Sequence, residues 1–117
     1  MTSILVHLTT GSENPTRAAL AFLIARTAAS EGHQVSLFLA GDAVSLLRDA
    51  TMDAAMGVGT GSIREHYTAL AEAGVRVFGS GMSSRARGID AEAIGGKPVD
   101  CLRIDSTRSS SSSPTAW

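Results

Sequence analysis

The stretch SILVHLTTGSENPTRAALAFLIARTAASEGHQVSLFLA, residues 3–40, decides the fold. Its first part, Ser3–Thr9, is a nearly continuous apolar run and predicts a strand that is buried on both faces. Pro15 takes the first position of a helix that Asn14 caps, and alanine and leucine recur at helical spacing until a glycine ends it. The run Gln34–Ala40 predicts a second strand. The order strand, helix, strand indicates an α/β domain.

The same alternation continues downstream. The segment Gly41–Ala50 predicts a second helix with Asp42 as its cap, and Met56–Gly61 predicts a flexible loop. Capping-box spacing begins a third helix over Ser62–Ala73, and Val75–Gly79 predicts the third strand. Strands that alternate with helices predict an open parallel sheet with helices on both faces, joined by right-handed crossovers.

The loops after the strands are the predicted site, because parallel sheets bind ligands beyond the carboxyl ends of their strands. Three loops meet there: Thr10–Asn14, Gly41–Asp42 and Ser80–Gly88. We expect them to surround a concave site that subunits can share. The candidate ligand-binding residues are Gly11, Ser12, Glu13, Asn14, Gly41, Asp42, Ser80, Gly81, Met82, Ser83, Arg85, Arg87 and Gly88.

The third of these loops, FGSGMSSRARG (residues 78–88), allows two interpretations. Its small residues let backbone N–H groups approach an anion, onto which Arg85 or Arg87 could fork. Alternatively it is a tight turn whose arginines form ion pairs at helix ends or between subunits. It is not a nucleophile elbow, because Arg85 stands where the second glycine of G-x-S-x-G belongs and no motif places a histidine base.

The histidine and cysteine residues do not have the spacing of a metal site. His7, His33 and His66 lack ligand spacing, and Cys101 is the single cysteine. We therefore expect no metal and no cofactor. His7, on the first strand, is predicted to be an interior or interface histidine.

The composition limits the classes of function. A chain of 117 residues, 44% of them apolar, suffices for one domain with a core. The net charge of −1 gives no broad basic face for nucleic acid, and the N-terminal apolar run is too short for a signal peptide or a membrane span. A single cysteine fits a reducing cytoplasm. Because only 18% of the residues are charged, we expect copies of the chain to cover part of its surface.

Three segments together resemble the DsrE/DsrF-like family, the fold of the small sulfur-relay proteins: ILVHLTTGSENPTRAALAFLIA, GHQVSLFLAGDAVSLL and GVRVFGSGMSSRARGI. The resemblance covers about residues 3–98, in order and with the expected spacing. It implies a three-layer sandwich around a five-stranded parallel sheet, and assembly as trimers or hexamers.

The sulfur carriers of that family have a C-x-x-C/S-x-x-x-R-G pattern after the corresponding strand. Carried over, the pattern falls on Ser80, Ser83, Arg87 and Gly88, so both possible thiol positions are serine. Serine cannot hold a persulfide, and Cys101 lies outside the motif. The resemblance thus implies a protein that binds a small ligand or a partner without persulfide chemistry. The alternative is an accessory subunit of a sulfur-relay complex that docks onto a cysteine-bearing paralogue.

The end of the chain departs from this pattern. We divide the chain into a domain over residues 1–98 and an irregular, serine-rich tail over residues 99–117. The resemblance stops near Pro98, where a helix and a final strand should follow. Written in GC-rich codons and read in a shifted frame, the serine run Ser109–Ser113 would give apolar and charged residues in an amphipathic pattern. A frameshift would therefore explain the tail; the alternative is a natural disordered one.

Overall fold

The structure is a computed structural model that describes residues 3–102. Strands and helices alternate along it much as predicted. The elements are β1 (Ser3–Leu8), α1 (Pro15–Ser30), β2 (Gln34–Leu39), a 3₁₀ helix (Gly41–Leu47), α2 (Asp49–Ala54), β3 (Met56–Gly57), β4 (Gly61–Ser62), α3 (Ile63–Glu72), β5 (Arg76–Ser80), α4 (Gly81–Ala86) and β6 (Val99–Leu102).

The main sheet has the strand order β1-β2-β5-β6, and every pair in it is parallel. The predicted α/β class with an open parallel sheet is confirmed. The described residues supply four strands of this sheet, whereas the resemblance implied five.

β6 corrects the prediction that residues 99–117 are irregular. β6 pairs with β5, and its alternate residues Val99 and Cys101 are buried. A strand with one covered face requires this alternation. Four residues followed by a serine-rich stretch are too short a pattern to predict a strand. The remaining predictions for the tail, including its irregularity from residue 103 onward, lie outside the described residues.

The core lies between one face of the sheet and the helices α1 and α3. Phe22 and Leu70 on these helices are fully buried, as are Leu37 and Leu39 of β2. The helix α1 contacts β1, β2 and α3. Because the strands follow one another in chain order, right-handed crossovers bring each connection back over this same face.

The other face of the sheet is here called the open face. Among residues 3–102 the helices flank the core face, as the predicted α/β sandwich requires, and the predicted final helix and strand lie outside the described residues. A cavity of about 580 Å³ lies on the open face, lined by side chains of the strands alone. The open face consists of the outward side chains of the four parallel strands: Ser3, Leu5, His7, Gln34, Ser36, Phe38, Arg76, Phe78, Asp100 and Leu102.

Two helix starts agree with the sequence. The side chain of Asn14 accepts a hydrogen bond from the Arg17 N–H at 3.1 Å, directly before Pro15. The Ser62 hydroxyl accepts from the Glu65 N–H at 3.3 Å at the start of α3. Both caps depend on residues three apart, so the local sequence suffices to predict them.

Three local predictions were wrong. The predicted helix Gly41–Ala50 is a 3₁₀ helix followed by α2, because the backbone of Arg48 is extended between them. Asp42 does not cap it; Ala40 precedes the first turn without a side-chain hydrogen bond. The predicted loop Met56–Gly61 contains the antiparallel hairpin of β3 and β4. The predicted loop Ser80–Gly88 contains the short helix α4.

Candidate functional site

The carboxyl ends of the strands bring the three predicted loops together. The Gly41 N–H donates a hydrogen bond of 2.8 Å to the Ser83 hydroxyl, which joins the loop after β2 to α4. Gly11, in the loop after β1, approaches the same place so closely that a Cβ on it would overlap the carbonyl oxygen of Asp42. The loops therefore touch at one edge of the sheet.

The two serines at the family's sulfur positions act as hydrogen-bond acceptors. The hydroxyl of Ser80 caps α4 by accepting from the Ser83 N–H at 3.2 Å. That of Ser83 accepts from Gly41. The next residue, Ser84, is 1% exposed, and its hydroxyl has no partner within residues 3–102. No local pattern distinguishes Ser84 from its neighbours, because the sequence around a hydroxyl does not show whether the fold will bury it.

Arg87 forms the ion pair that one interpretation of the sequence expected. Its Nε and Nη2 both donate to Oδ1 of Asp42, at 3.2 and 3.0 Å. Its Nη1 donates to the Ser83 carbonyl at 3.2 Å. The guanidinium is thus held in place. Because the pair is largely exposed, we expect it to contribute no more than about 1 kcal/mol to stability.

Arg48 belongs to this site, although the sequence analysis placed it inside a helix. Its Nη2 donates to the carbonyl oxygens of Arg87 and Gly88, at 3.3 and 3.1 Å. Gly88 has a φ of +67°, which ends α4 in the left-handed conformation. Arg48 therefore fixes the end of α4, a contact across 40 residues that no local pattern reveals.

Arg85 and Met82 are the large exposed side chains of α4. Within residues 3–102 the Arg85 guanidinium forms no hydrogen bond or ion pair, and Met82 is 65% exposed. The first residue of α4, Gly81, lies beside Arg85, since a Cβ on it would be 3.5 Å from Nη1. Arg85 is therefore an arginine of this site whose guanidinium has no partner among residues 3–102.

The loop after β1 contributes mainly to its own structure. The carboxylate of Glu13 accepts from the Gly11 N–H at 2.8 Å, and Asn14 caps α1. Ser12 lines a separate cavity of about 380 Å³ together with Pro15 and Thr51. Of the predicted site residues in this loop, the structure brings Gly11 into contact with Asp42 and assigns Glu13 and Asn14 to intraloop and capping bonds.

Cys101 lies close to the site in space, although it is far from the motif in sequence. It pairs with Gly79 of β5, and its sulfur would be 3.0 Å from a Cβ on Gly81. The thiol is only 1% exposed. This position is not predictable from the motif, because Cys101 reaches the site through the pairing of β6 with β5.

His66 and His7 lie in different surroundings. Nε2 of His66 lies 2.6 Å from the carbonyl oxygen of Thr60, and Nδ1 lies 3.3 Å from Arg26 Nη1. In this arrangement Nε2 can donate to the carbonyl oxygen, and Nδ1 can accept from the guanidinium. His7 is exposed on the open face, with its ring 5.1 Å from that of Phe38. His7 is therefore not interior among residues 3–102, and the alternative of an interface histidine stays a prediction.

Two searches of the described residues gave negative results. No group of three or more histidine, cysteine, aspartate or glutamate side chains in residues 3–102 could hold a metal ion. No helix in that range is both long enough and apolar enough to cross a membrane.

The comparison with known families gave one match. The model of the DsrE/DsrF-like family matches residues 2–111, which is most of the chain and extends past Pro98, where we had placed the end of the resemblance. None of the curated proteins compared with the chain matches it.

Proposed function

Because the chain belongs to the DsrE/DsrF-like family, we propose that it uses the carboxyl-end site of that fold to bind a small anion, without carrying sulfur there. Serine at positions 80 and 83 supports the absence of persulfide chemistry, since an alcohol does not form the S–S bond. The hydroxyls of Ser80 and Ser83 are also engaged as acceptors from backbone N–H groups. We further propose a cytoplasmic location, to which a single buried thiol is suited.

Arg85 is the observation that carries the proposal. The Arg48 guanidinium donates to carbonyl oxygens, and the Arg87 guanidinium pairs with Asp42. Both groups therefore stabilise the end of α4 and already have partners. Arg85 is exposed beside them, and no carboxylate of residues 3–102 pairs with it. A guanidinium in that position can form charge-assisted hydrogen bonds with a small oxyanion.

Titration with inorganic phosphate tests this proposal. We expect the amide signals of Gly41 and Met82 to shift in NMR spectra as phosphate binds. Arg85→Ala should weaken binding by about fivefold or more, because a charge-assisted bond is lost.

The matched control is Arg76→Ala, which removes the same charge from the amino end of β5, at the opposite edge of the sheet. It should change the affinity for phosphate less than about twofold, since surface charges that far apart are screened. Equal losses of phosphate affinity in the two variants would show that the effect comes from the overall charge of the protein and not from a site at Arg85. If neither the Gly41 nor the Met82 amide signal shifts, the proposal is contradicted.

A second candidate is an accessory subunit that docks onto a cysteine-bearing relative. The exposed Met82 favours it, because a flexible apolar side chain beside a site suits a protein contact. Native mass spectrometry after co-expression with such a relative would detect a mixed complex. The complex should be lost in Met82→Glu, and its persistence in that variant would count against docking at this site.

A further inference from the structure

A cavity of about 360 Å³ lies at the amino ends of β5 and β6, between these strands and α3. The proposed anion site follows the carboxyl ends of the strands, so this cavity is at the opposite edge of the sheet. Its volume suits a small molecule. Apolar residues form most of its wall: Ala71, Val75, Val77, Pro98 and Val99.

Tyr67, on the α3 side of this cavity, has a buried hydroxyl without a hydrogen-bond partner within residues 3–102. The residue itself is 5% exposed. Buried polar groups are nearly always paired, because an unpaired one costs desolvation energy. A phenylalanine would fill the same space in the core without that cost. The hydroxyl, and not the ring, therefore calls for an explanation.

The Tyr67 hydroxyl is suited to donate a hydrogen bond. Burial raises its pKa above the ordinary value of 10.0, so the group is protonated at neutral pH. A protonated phenol can donate to a carbonyl oxygen. The wall of a mostly apolar cavity thus includes one hydrogen-bond donor, which is the usual composition of a small-molecule site.

The charged side chains at the cavity already have partners. Arg76 forms an ion pair of 2.6 Å with Asp100, and Lys97 forms one of 2.6 Å with Asp49. These two pairs have no net charge at neutral pH. A charged ligand would leave water for a mostly apolar cavity in which no opposite charge is free to receive it, and that transfer is unfavourable. An uncharged ligand fits the cavity better.

We propose that this cavity binds a small, uncharged molecule whose carbonyl oxygen accepts a hydrogen bond from the Tyr67 hydroxyl. The apolar part of the molecule lies against the side chains of Ala71, Val75 and Val99. Because the hydroxyl is shielded from solvent, binding includes a small movement of the Tyr67 side chain toward the cavity. This site is separate from the anion site at Arg85 and does not depend on it.

Titration of the full chain with acetophenone tests the proposal. This probe is uncharged, and it joins a ketone oxygen to an apolar ring. We expect the NMR amide signals of Ala71 and Val99 to shift, with a dissociation constant of about 1 mM or tighter for a molecule of this size. The signal of Gly41, at the other edge of the sheet, should stay in place. The absence of any shift at Ala71 and Val99 would overturn the proposal.

Tyr67→Phe keeps the aromatic ring and removes only the hydroxyl. It should weaken the binding of acetophenone at least about fivefold, because the ketone loses its donor. Toluene has the same ring without an acceptor, so its affinities for wild type and Tyr67→Phe should agree within about twofold. An unchanged affinity for acetophenone in Tyr67→Phe, or an equal loss for both probes, would overturn the proposal.

Ala71→Phe tests where the ligand lies. Ala71 is exposed at the cavity, so a larger side chain there fills the cavity without disturbing the core, and binding of both probes should be lost. The matched control is Ala73→Phe, the same change at an exposed residue that does not line the cavity. It should leave the affinity for acetophenone unchanged within about twofold. Binding that persists in Ala71→Phe, or that is lost equally in Ala73→Phe, would overturn the proposal.

Discussion

Two neighbouring serines on α4 differ in what their hydroxyls do. Ser83 accepts the Gly41 N–H at 2.8 Å and so connects α4 with the loop after β2. Ser84 is buried, and its hydroxyl has no partner among residues 3–102. A satisfied hydroxyl contributes to stability, whereas a buried and unsatisfied one costs desolvation energy.

Substitution of these serines by alanine should therefore have opposite consequences. Ser83→Ala removes the acceptor of a backbone N–H, and we expect it to lower the free energy of unfolding by about 1–2 kcal/mol. Ser84→Ala removes only the unsatisfied hydroxyl, so its effect should be close to zero or stabilising. Urea denaturation of both variants is the measurement. A larger loss in Ser84→Ala than in Ser83→Ala would contradict the assignment of the two hydroxyls.

At the residue scale, the sequence predicts what depends on close neighbours. The caps Asn14 and Ser62 were predicted because each bonds an N–H three residues later. The ion pair between Asp42 and Arg87 spans 45 residues, and the bonds of Arg48 span about as many. Such pairs depend on the packing of whole elements, which explains why the sequence left the role of Arg87 open and missed Arg48.

At the scale of elements, Asp49 joins three parts of the chain. It is the first residue of α2, and its Oδ1 accepts from Arg64 of α3 at 2.9 Å and from Lys97, before β6, at 2.6 Å. The Lys97 side chain is only 6% exposed. The hydrogen bonds from Lys97 and then Arg64 lower the pKa of Asp49 from its ordinary value of 3.8.

The stability of the fold should depend on pH through this carboxylate. Because folding lowers the pKa of Asp49, the ionised form stabilises the native state above about pH 4, and this contribution is lost as the pH falls through the folded-state pKa. Wild type should therefore be more stable than Asp49→Asn at pH 7, and the difference should shrink toward pH 2.5. Thermal unfolding at both pH values is the measurement. A difference that is the same at pH 7 and pH 2.5 would contradict this role, and 1 M salt should reduce the difference at pH 7.

The elements themselves were predicted unevenly. α1, α3 and the first three strands of the sheet follow periodicity and end signals that are present in the sequence. The segment after β2 was predicted as one helix because its apolar spacing is helical, but the extended backbone at Arg48 divides it. β3, β4 and β6 have two to four residues each, too few for a periodic pattern to identify them.

At the scale of the whole molecule, the fold class was predicted and the order of the strands was not. Alternating strands and helices gave the parallel sheet, but the strand order is not written in any local pattern. In the order β1-β2-β5-β6, right-handed crossovers place every connection between these strands on the same face of the sheet. None of these connections therefore lies on the open face. The prediction that the loops after β1, β2 and β5 meet depended only on the strands being parallel.

The buried position of Cys101 leads to a prediction for the molecule as a whole. Because the thiol is 1% exposed between β5 and α4, a thiol reagent should reach it only when the structure opens. We expect slow labelling of wild type without denaturant and fast labelling in urea. As a control, Met82→Cys places a thiol where the native side chain is 65% exposed, and that thiol should react at once. Fast labelling of native wild type would contradict the burial of Cys101.

The strand order also has a consequence for how the chain folds as it is synthesised. Each strand of the main sheet pairs with the strand that precedes it in that sheet along the chain, so none has to insert between two partners that have already joined. Once β1 and β2 have paired, with α1 packed on them, they offer a complete edge to β5, and β5 then offers one to β6. The sheet can therefore grow outward from the N-terminal part as the ribosome releases it. Sheets with interleaved strand orders must instead wait for a distant segment before their centre can close.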